Sequence, residues 1–463
     1  MGERERLKAA LPGGKMETIA AVSTAAGIGA VALVRISGPD AWAVGRNLVA
    51  QADRFDRLEP RRNSLFTIVH PATGEEVDQA LVVKYQGPQS FTGDDVVELQ
   101  CHGGLAVPAA VCEAAVAAGA RTARAGEFTR RAFLNGKIDL AQAEAVDGLI
   151  HARSEPGRKV ALTALRGELG EQVSRLRATL LELKADLEYS IDFPDEDQPG
   201  DLAPRVNQRT EEASSLVRTL LSGTERSLLL GRGILTVIAG APNVGKSSIF
   251  NRLLGQLRSI VTPTAGTTRD AVESETMLDG VLVRLVDTAG LRKRAGRVEK
   301  IGVEYSRRYI DEADLVVFVH EAGEDLRKAE RDFLDHHRHR RVIKVVNKVD
   351  LLRDGETVPE AYLALSARTG EGFDRLRESI VHEVLPGPGT GDSAASGTQL
   401  TSLRQKLLLE EALACLERAG RESPPEFISA EISAACDRLG EITGEITSAD
   451  VLESIFSRFC IGK

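Results

Sequence analysis

Leu235-Thr236-Val237-Ile238-Ala239, running into Gly240-Ala241-Pro242-Asn243-Val244-Gly245-Lys246-Ser247, decides the reading of this chain. An apolar run that ends at a glycine reads as a buried strand. G-x-x-x-x-G-K-S then turns into a helix that begins near Ser248. In that context small residues let the backbone N–H groups from Asn243 through Gly245 to Ser248 wrap phosphate oxygens. Lys246 reaches the terminal phosphates, and the Ser247 hydroxyl can ligate Mg²⁺.

Motifs further along extend the site. Gly266-Thr267-Thr268-Arg269-Asp270 lies in a loop, where a threonine can sense a γ-phosphate through Mg²⁺. A strand over 283–286 leads into Asp287-Thr288-Ala289-Gly290, whose carboxylate can hold Mg²⁺ through water and whose glycine N–H can meet the γ-phosphate. A strand over 342–346 leads into Asn347-Lys348-Val349-Asp350. Asp350 can accept from both the amino and imino groups of guanine, which adenine cannot offer, so GTP is selected. Ser366-Ala367-Arg368 falls where a backbone N–H would meet guanine O6. Leu291 follows the glycine where Ras-like switches carry a water-orienting Gln, and an apolar side chain cannot orient water. Glu299 is the candidate for that task.

Around this centre the chain has 463 residues and a net charge of -9, so no bulk field draws nucleic acid to it. Aromatics make up 4%, too few for an extensive base-stacking platform. The five cysteines are odd in number and lack C-x-x-C spacing, which reads as a reducing, cytoplasmic setting without a disulfide framework or zinc site. Met1 to Lys15 is polar, and no apolar run approaches a membrane span.

Strands are expected over 18–22, 30–36 and 80–85, with a helix over 106–118. Leu169, Val173, Leu176, Leu180, Leu183 and Leu187 recur at helical spacing, with breaks at Phe193-Pro194 and Gln198-Pro199-Gly200. Strand–helix alternation over 228–385 predicts a mostly parallel sheet, and Gly387 to Gly397 reads as a linker before helices resume at Leu403. The expected fold class is α/β plus all-α. An N-terminal α/β domain spans 1–135 and a helical domain spans 136–230. A Ras-like GTPase domain inserted at 231–386 follows, and the helical domain resumes at 387–463. The two helical stretches flanking the insertion are expected to pack together. Cys460, near the end of Phe459-Cys460-Ile461-Gly462-Lys463, reads as a thiol on a tail that can be delivered to another surface; the ending fits a prenylation signal poorly. His336, His337 and His339 beside Arg338 and Arg340 read as a solvated helix face, with metal binding as the alternative. His320, where many such proteins carry Asp, reads as neutral.

Several blocks now resemble the MnmE (TrmE) family of tRNA-modification GTPases over nearly the whole chain. They are Val34-Arg35-Ile36-Ser37-Gly38-Pro39, Ser90-Phe91-Thr92-Gly93-Asp94-Asp95-Val96-Val97-Glu98, Cys101-His102-Gly103-Gly104, Gly126 to Lys137, Ile191-Asp192-Phe193-Pro194, Glu441-Ile442-Thr443-Gly444 and Phe456 to Lys463. The resemblance implies a K⁺-stimulated GTPase that works with the flavoprotein MnmG (GidA). Together they would add a folate-derived aminomethyl-type group to C5 of the wobble uridine of certain tRNAs. It implies a homodimer formed by the N-terminal domain. It also implies 5,10-methylenetetrahydrofolate, or a 5-formyl analogue, on Arg35, Glu98, Lys137 and Lys463. K⁺ maps onto Asn243, Thr262, Thr264 and Thr267, and Mg²⁺ onto Ser247 and Thr268. Glu299 matches the family's water-positioning glutamate, and Cys460 lies near the folate pocket, either as a catalytic thiol or as a group that positions or regulates. Two stretches depart from the family pattern: Ala25-Ala26-Gly27, and the basic segment Lys293 to Arg297. The runner-up reading is a ribosome-assembly GTPase of the Era or Der type, which shares the Gly-Thr-Thr-Arg-Asp loop.

Overall fold

The computed structural model describes residues 16–193, 202–255, 273–287, 308–353, 356–385, 399–419 and 424–463. They form two compact units, one within 1–147, 164–221 and 402–463, the other within 148–163 and 222–401. The expected N-terminal polar stretch, Pro194, Gln198 to Gly200 and the linker 387–397 lie outside the described residues.

In the first unit six strands are β1 (Ile19–Val22), β2 (Val31–Ser37), β3 (Asn63–Val69), β4 (Glu76–Tyr85), β5 (Val96–His102) and β6 (Arg121–Thr122). Their spatial order is β3-β4-β5-β2-β1-β6. Each pairing is antiparallel except β1 with β6. Alternation on β2 and β5 turns Ala32, Val34, Ile36, Val97, Leu99 and Cys101 to one face. There they meet Val111, Ala114 and Ala115 of the helix Ala106–Ala117 in one core. β4 begins at Glu76 rather than Ala80, because its polar first half is carried by the ladder with β3. Pairing overrides intrinsic strand preference there.

The helix Glu168–Asp192 buries the six apolar residues whose spacing predicts it, from Leu169 to Leu187. It packs on Pro425–Thr443, which packs on Leu403–Arg418, which in turn packs on Leu202–Leu221. Helices from both sides of the inserted segment therefore share one core. Burying each leucine stabilises the bundle by roughly 1.5–3 kcal/mol.

A charged knot joins the N-terminal sheet to the helix Glu127–Leu134. Arg121 donates to both Glu127 oxygens at 2.9 and 2.6 Å, and the Arg124 N–H adds a third bond at 2.8 Å. Arg131, almost fully buried, donates to the Ser37 and Glu17 carbonyls and to Glu127. Burial pushes the Glu127 carboxyl up. The Arg121 hydrogen bond, the Arg124 N–H and the charges of Arg131 and Arg121 outweigh it and bring it down to about 2.

In the second unit the strands are β7 (Ile234–Gly240), β8 (Glu273–Leu278), β9 (Val281–Asp287), β10 (Leu315–Glu321), β11 (Val342–Asn347) and β12 (Leu363–Leu365). Their spatial order is β12-β11-β10-β7-β9-β8. Only β8 runs antiparallel. β7 and β10 are buried along nearly their whole length, as strands covered on both faces are. The helix after the phosphate loop starts at Lys246, earlier than Ser248. The Ile249 N–H already donates to the Gly245 carbonyl, so the motif itself forms the first turn.

Glu127 titrates below its unfolded value of 4.5, so its contribution is complete above that pH and is lost as pH falls toward 2. Glu127→Gln is expected to lower stability by about 3 kcal/mol at pH 7. Urea denaturation at pH 7 and pH 3 should show that difference shrinking in acid.

Candidate functional site

The carboxyl ends of the parallel strands bring the nucleotide motifs together. Asn243, at φ 67, and Gly245, at φ 96, shape the phosphate loop. A Cβ on Gly245 would stand 2.2 Å from Asn347 Nδ2, so a side chain is excluded on both grounds. The Lys246 ammonium sits inside the loop on the Gly240 and Ala241 carbonyls at 3.0 and 2.6 Å. Ser247 Oγ donates to Asp287 Oδ2 at 2.7 Å. Strand β9 thus places its terminal carboxylate beside the hydroxyl that follows the loop lysine. A hydroxyl and a carboxylate oxygen in contact suit a hard cation such as Mg²⁺.

Asn347 is buried and links two loops. Its Nδ2 donates to the Val244 carbonyl at 2.8 Å, and its Oδ1 accepts from the Ala367 N–H at 2.9 Å. The Lys348 ammonium is fixed by Glu321 at the end of β10, at 2.7 Å. One Asp350 oxygen accepts from Ser366 Oγ and the other pairs with Arg368 at 2.8 Å. The Ser366 hydrogen bond and, against burial, the Arg368 charge hold the Asp350 carboxyl below its ordinary value. It therefore stays an acceptor at neutral pH, which reading the guanine edge requires. Arg368 is largely exposed, and such a pair contributes little, so a base edge can take that oxygen. Thr262, Thr264, Thr267, Thr268, Thr288, Ala289, Gly290, Leu291, Lys293 to Arg297 and Glu299 lie outside the described residues.

A second site forms in the other unit. Arg35 and Glu98 are direct cross-strand partners on β2 and β5. Arg35 Nε donates to Glu98 Oε1 at 2.8 Å with both side chains mostly buried. The Arg35 guanidinium lies 5.6 Å from the ring centroids of both Phe91 and Phe128. Tyr85 donates to the other Glu98 oxygen at 3.4 Å. The blocks that carried the resemblance converge here. Ser37 Oγ meets Thr92 Oγ1 at 2.8 Å, and Asn135 Nδ2 donates to the Thr92 carbonyl at 2.7 Å.

The tail that the sequence presents as loose is fixed onto this site. Ile461 bridges Ala125, and the Cys460 and Lys463 carbonyls accept from the Gly126 and Phe128 N–H groups at 3.3 and 3.1 Å. Ser23 Oγ donates to the Gly462 carbonyl at 3.0 Å. Gly462, at φ 96, has no room for a Cβ, which would stand 2.3 Å from the Val22 carbonyl. Phe456 and Phe459 are buried, while the Cys460 thiol is exposed. Burial pushes the Lys463 ammonium down and Arg35 adds repulsion, against the attraction of Cys460 and Glu98. The Phe128 N–H that holds Lys463 belongs to the residue whose ring lies by the Arg35 guanidinium, so the tail and the Arg35–Glu98 pair meet at Phe128. Lys137 is exposed in the turn two residues after Asn135, whose side chain donates to the Thr92 carbonyl.

Sequence reasoning passed over Tyr85, Phe91, Phe128 and Glu321, whose roles arise from strand register and loop approach rather than from local pattern. His320, read as neutral, is buried against the Glu324 carbonyl at 2.7 Å and near Glu330 at 3.4 Å. His337 turns its Nδ1 to the Phe333 carbonyl and its ring to Phe333. Among the described residues no group of three His, Cys, Asp or Glu could hold a metal ion.

The parallel sheet, the phosphate loop and the Asn-Lys-x-Asp turn define a P-loop guanine-nucleotide-binding protein. The family model described as "GTP-binding protein TrmE N-terminus" matches residues 18–137, and "MnmE helical domain" matches 140–460. The protein named tRNA modification GTPase MnmE from Thermotoga sp. (strain RQ2) is 39% identical over 461 residues, covering 97% of this chain and 100% of that one. The protein of that name from Aquifex aeolicus is 41% identical over 456 residues, covering 96% and 100%. A solved structure of Aquifex aeolicus Era bound to GDP and AlF4⁻ matches at 25% identity over 41% of this chain and 68% of that one, with a TM-score of 0.26. The chain belongs to the MnmE family of tRNA modification GTPases.

Replacing one Asp350 acceptor with a donor should redirect the base. Asp350→Asn is expected to weaken GTP binding by at least about a hundredfold and to favour xanthosine triphosphate, whose 2-oxo group accepts where guanine donates. Competition titrations with the two nucleotides check this.

Proposed function

We propose that this chain hydrolyses GTP as part of tRNA wobble-uridine modification. The observation that carries the reading is the fixing of the Cys460–Lys463 tail through Phe128 to the Arg35–Glu98 pair, in a chain that also carries a guanine-nucleotide site. The runner-up, a ribosome-assembly GTPase, leaves that arrangement without a use. The family matches across 18–137 and 140–460 do not favour it.

At the nucleotide site Lys246 and the loop N–H groups bind the phosphates, and Asp350 orients the base. Ser247, Asp287 and Thr268 would hold Mg²⁺, which when bound neutralises charge on the phosphate oxygens. K⁺ beside the phosphates would involve Asn243, Thr262, Thr264 and Thr267. With Leu291 after the glycine, positioning of the attacking water falls to Glu299.

At the other site the donor set suits a folate such as 5,10-methylenetetrahydrofolate or its 5-formyl analogue. Arg35 and Lys463 are cations that can pair with its carboxylates, and Glu98 is a carboxylate that can accept from the pterin amino edge. Lys137, exposed two residues after Asn135, is the further cation of this set. The folate supplies the one-carbon unit when bound, and Cys460 stands exposed beside it. The flavoprotein MnmG would act as the partner. The net charge of -9 leaves most of the tRNA affinity to that partner. The setting is the cytoplasm.

Two outcomes are expected. Gly462→Ala removes no functional group yet dislodges the tail, so it should weaken 5-formyltetrahydrofolate binding about as much as Lys463→Met, roughly tenfold or more. Isothermal titration calorimetry measures both. In cells lacking the protein, mass spectrometry of wobble-uridine nucleosides should show the modification lost, restored by wild type and not by Asp287→Ala or Cys460→Ser. An unchanged nucleoside in the deletion would remove the tRNA reading.

A further inference from the structure

The helix Lys246–Gly255 carries the phosphate lysine in its first turn and Arg252 in its last. Arg252 reaches the loop expected to face guanine O6. Its Nη1 donates to the Ala367 and Arg368 carbonyls at 3.1 and 3.2 Å, and its Nη2 donates to the Thr369 carbonyl at 3.1 Å. The guanidinium lies 5.4 Å from the ring centroid of Phe373, which is buried. The loop is shaped around it. A Cβ on Gly370, at φ 95, would stand 2.1 Å from Nη2. In a trans peptide the N–H points opposite to the C=O. Gripping the Ala367 and Arg368 carbonyls therefore aims the Arg368 and Thr369 N–H groups away from the helix. On the loop's other flank the Ala367 N–H is set by Asn347 Oδ1 and the Thr369 N–H by Ser366 Oγ at 3.1 Å.

We propose that Arg252 is a positioning residue for guanine specificity, fixing the loop Ser366-Ala367-Arg368 so that the Arg368 N–H can receive the 6-oxo group of the base, while the Ser366 and Ala367 N–H groups bond the Glu371 carbonyl and Asn347 Oδ1. This deepens, and rests on, the guanine-nucleotide reading of the same site. Arg252 touches neither base nor phosphate in this role; it acts through three carbonyls. A planar fork reaches three consecutive carbonyls at once, which a lysine ammonium cannot reproduce.

The test compares GDP with 6-thio-GDP, which keeps the edge read by Asp350 but replaces the 6-oxygen with sulfur, a weaker acceptor. Dissociation constants are measured on the full chain for wild type, Arg252→Ala and Arg252→Lys. The lysine variant keeps the charge and most of the volume, so a fold defect in the alanine variant does not decide the outcome. Wild type should prefer GDP over 6-thio-GDP. Both variants should lose GDP affinity, Arg252→Ala by about tenfold or more, with 6-thio-GDP affinity changed much less, so the preference narrows. Equal losses for the two nucleotides would show a merely structural role and overturn the proposal, as would unchanged affinities. Wild type that binds ADP as well as GDP would instead bring down the guanine reading itself, and the proposal with it.

Discussion

The site on the N-terminal sheet depends on one constraint: the last residues of the chain are pinned to the first strands. The Lys463 and Cys460 carbonyls cap N–H groups at the start of the helix Glu127–Leu134, and Gly462 lies on the Val22 carbonyl. Closing a loop of several hundred residues costs only about 3 kcal/mol more than closing one of ten, because the penalty grows with the logarithm of length. Burial of Phe456 and Phe459, roughly 2 kcal/mol each, offsets that cost. The tail is therefore affordable as a fixed wall, and whatever binds beside Arg35 and Glu98 meets Lys463 already in place.

The charged knot of Arg121, Glu127 and Arg131 works in the same direction. The Arg131 guanidinium and the Glu127 carboxylate, largely taken out of water, are tolerable only when hydrogen-bonded, and here the Ser37 and Glu17 carbonyls, the Arg124 N–H and the part-exposed Arg121 complete the set. That satisfaction fixes the helix against β1 and β2, and the helix in turn receives the tail. In the nucleotide unit Asn347 has the comparable part. Its single amide ties the phosphate loop to the loop after β12, so the groups that read phosphate and base are set by one side chain.

Legibility in the sequence followed the range of the interactions. The phosphate loop, the Asn-Lys-Val-Asp turn and the leucine stripe of the long helix are local patterns, and the structure places them on the elements they imply. The second site was legible only through resemblance. Arg35 and Glu98 are 63 residues apart and become neighbours through antiparallel register. Tyr85, Phe91 and Phe128 carried no pattern of their own. The early start of β4 was hidden for the same reason, since its polar half is a strand only because β3 pairs with it.

By itself the sequence determined that a nucleotide site of the P-loop kind exists, where its residues fall, and that helical stretches flank it, because short-range backbone and side-chain chemistry dictates all three. Only the tertiary structure decided that the terminal Cys460 and Lys463 are held by backbone hydrogen bonds to the helix Glu127–Leu134, and that His320 is a buried partner of Glu330. Those facts rest on burial and on contacts between residues far apart in the chain, and such contacts leave no periodicity for a sequence to display.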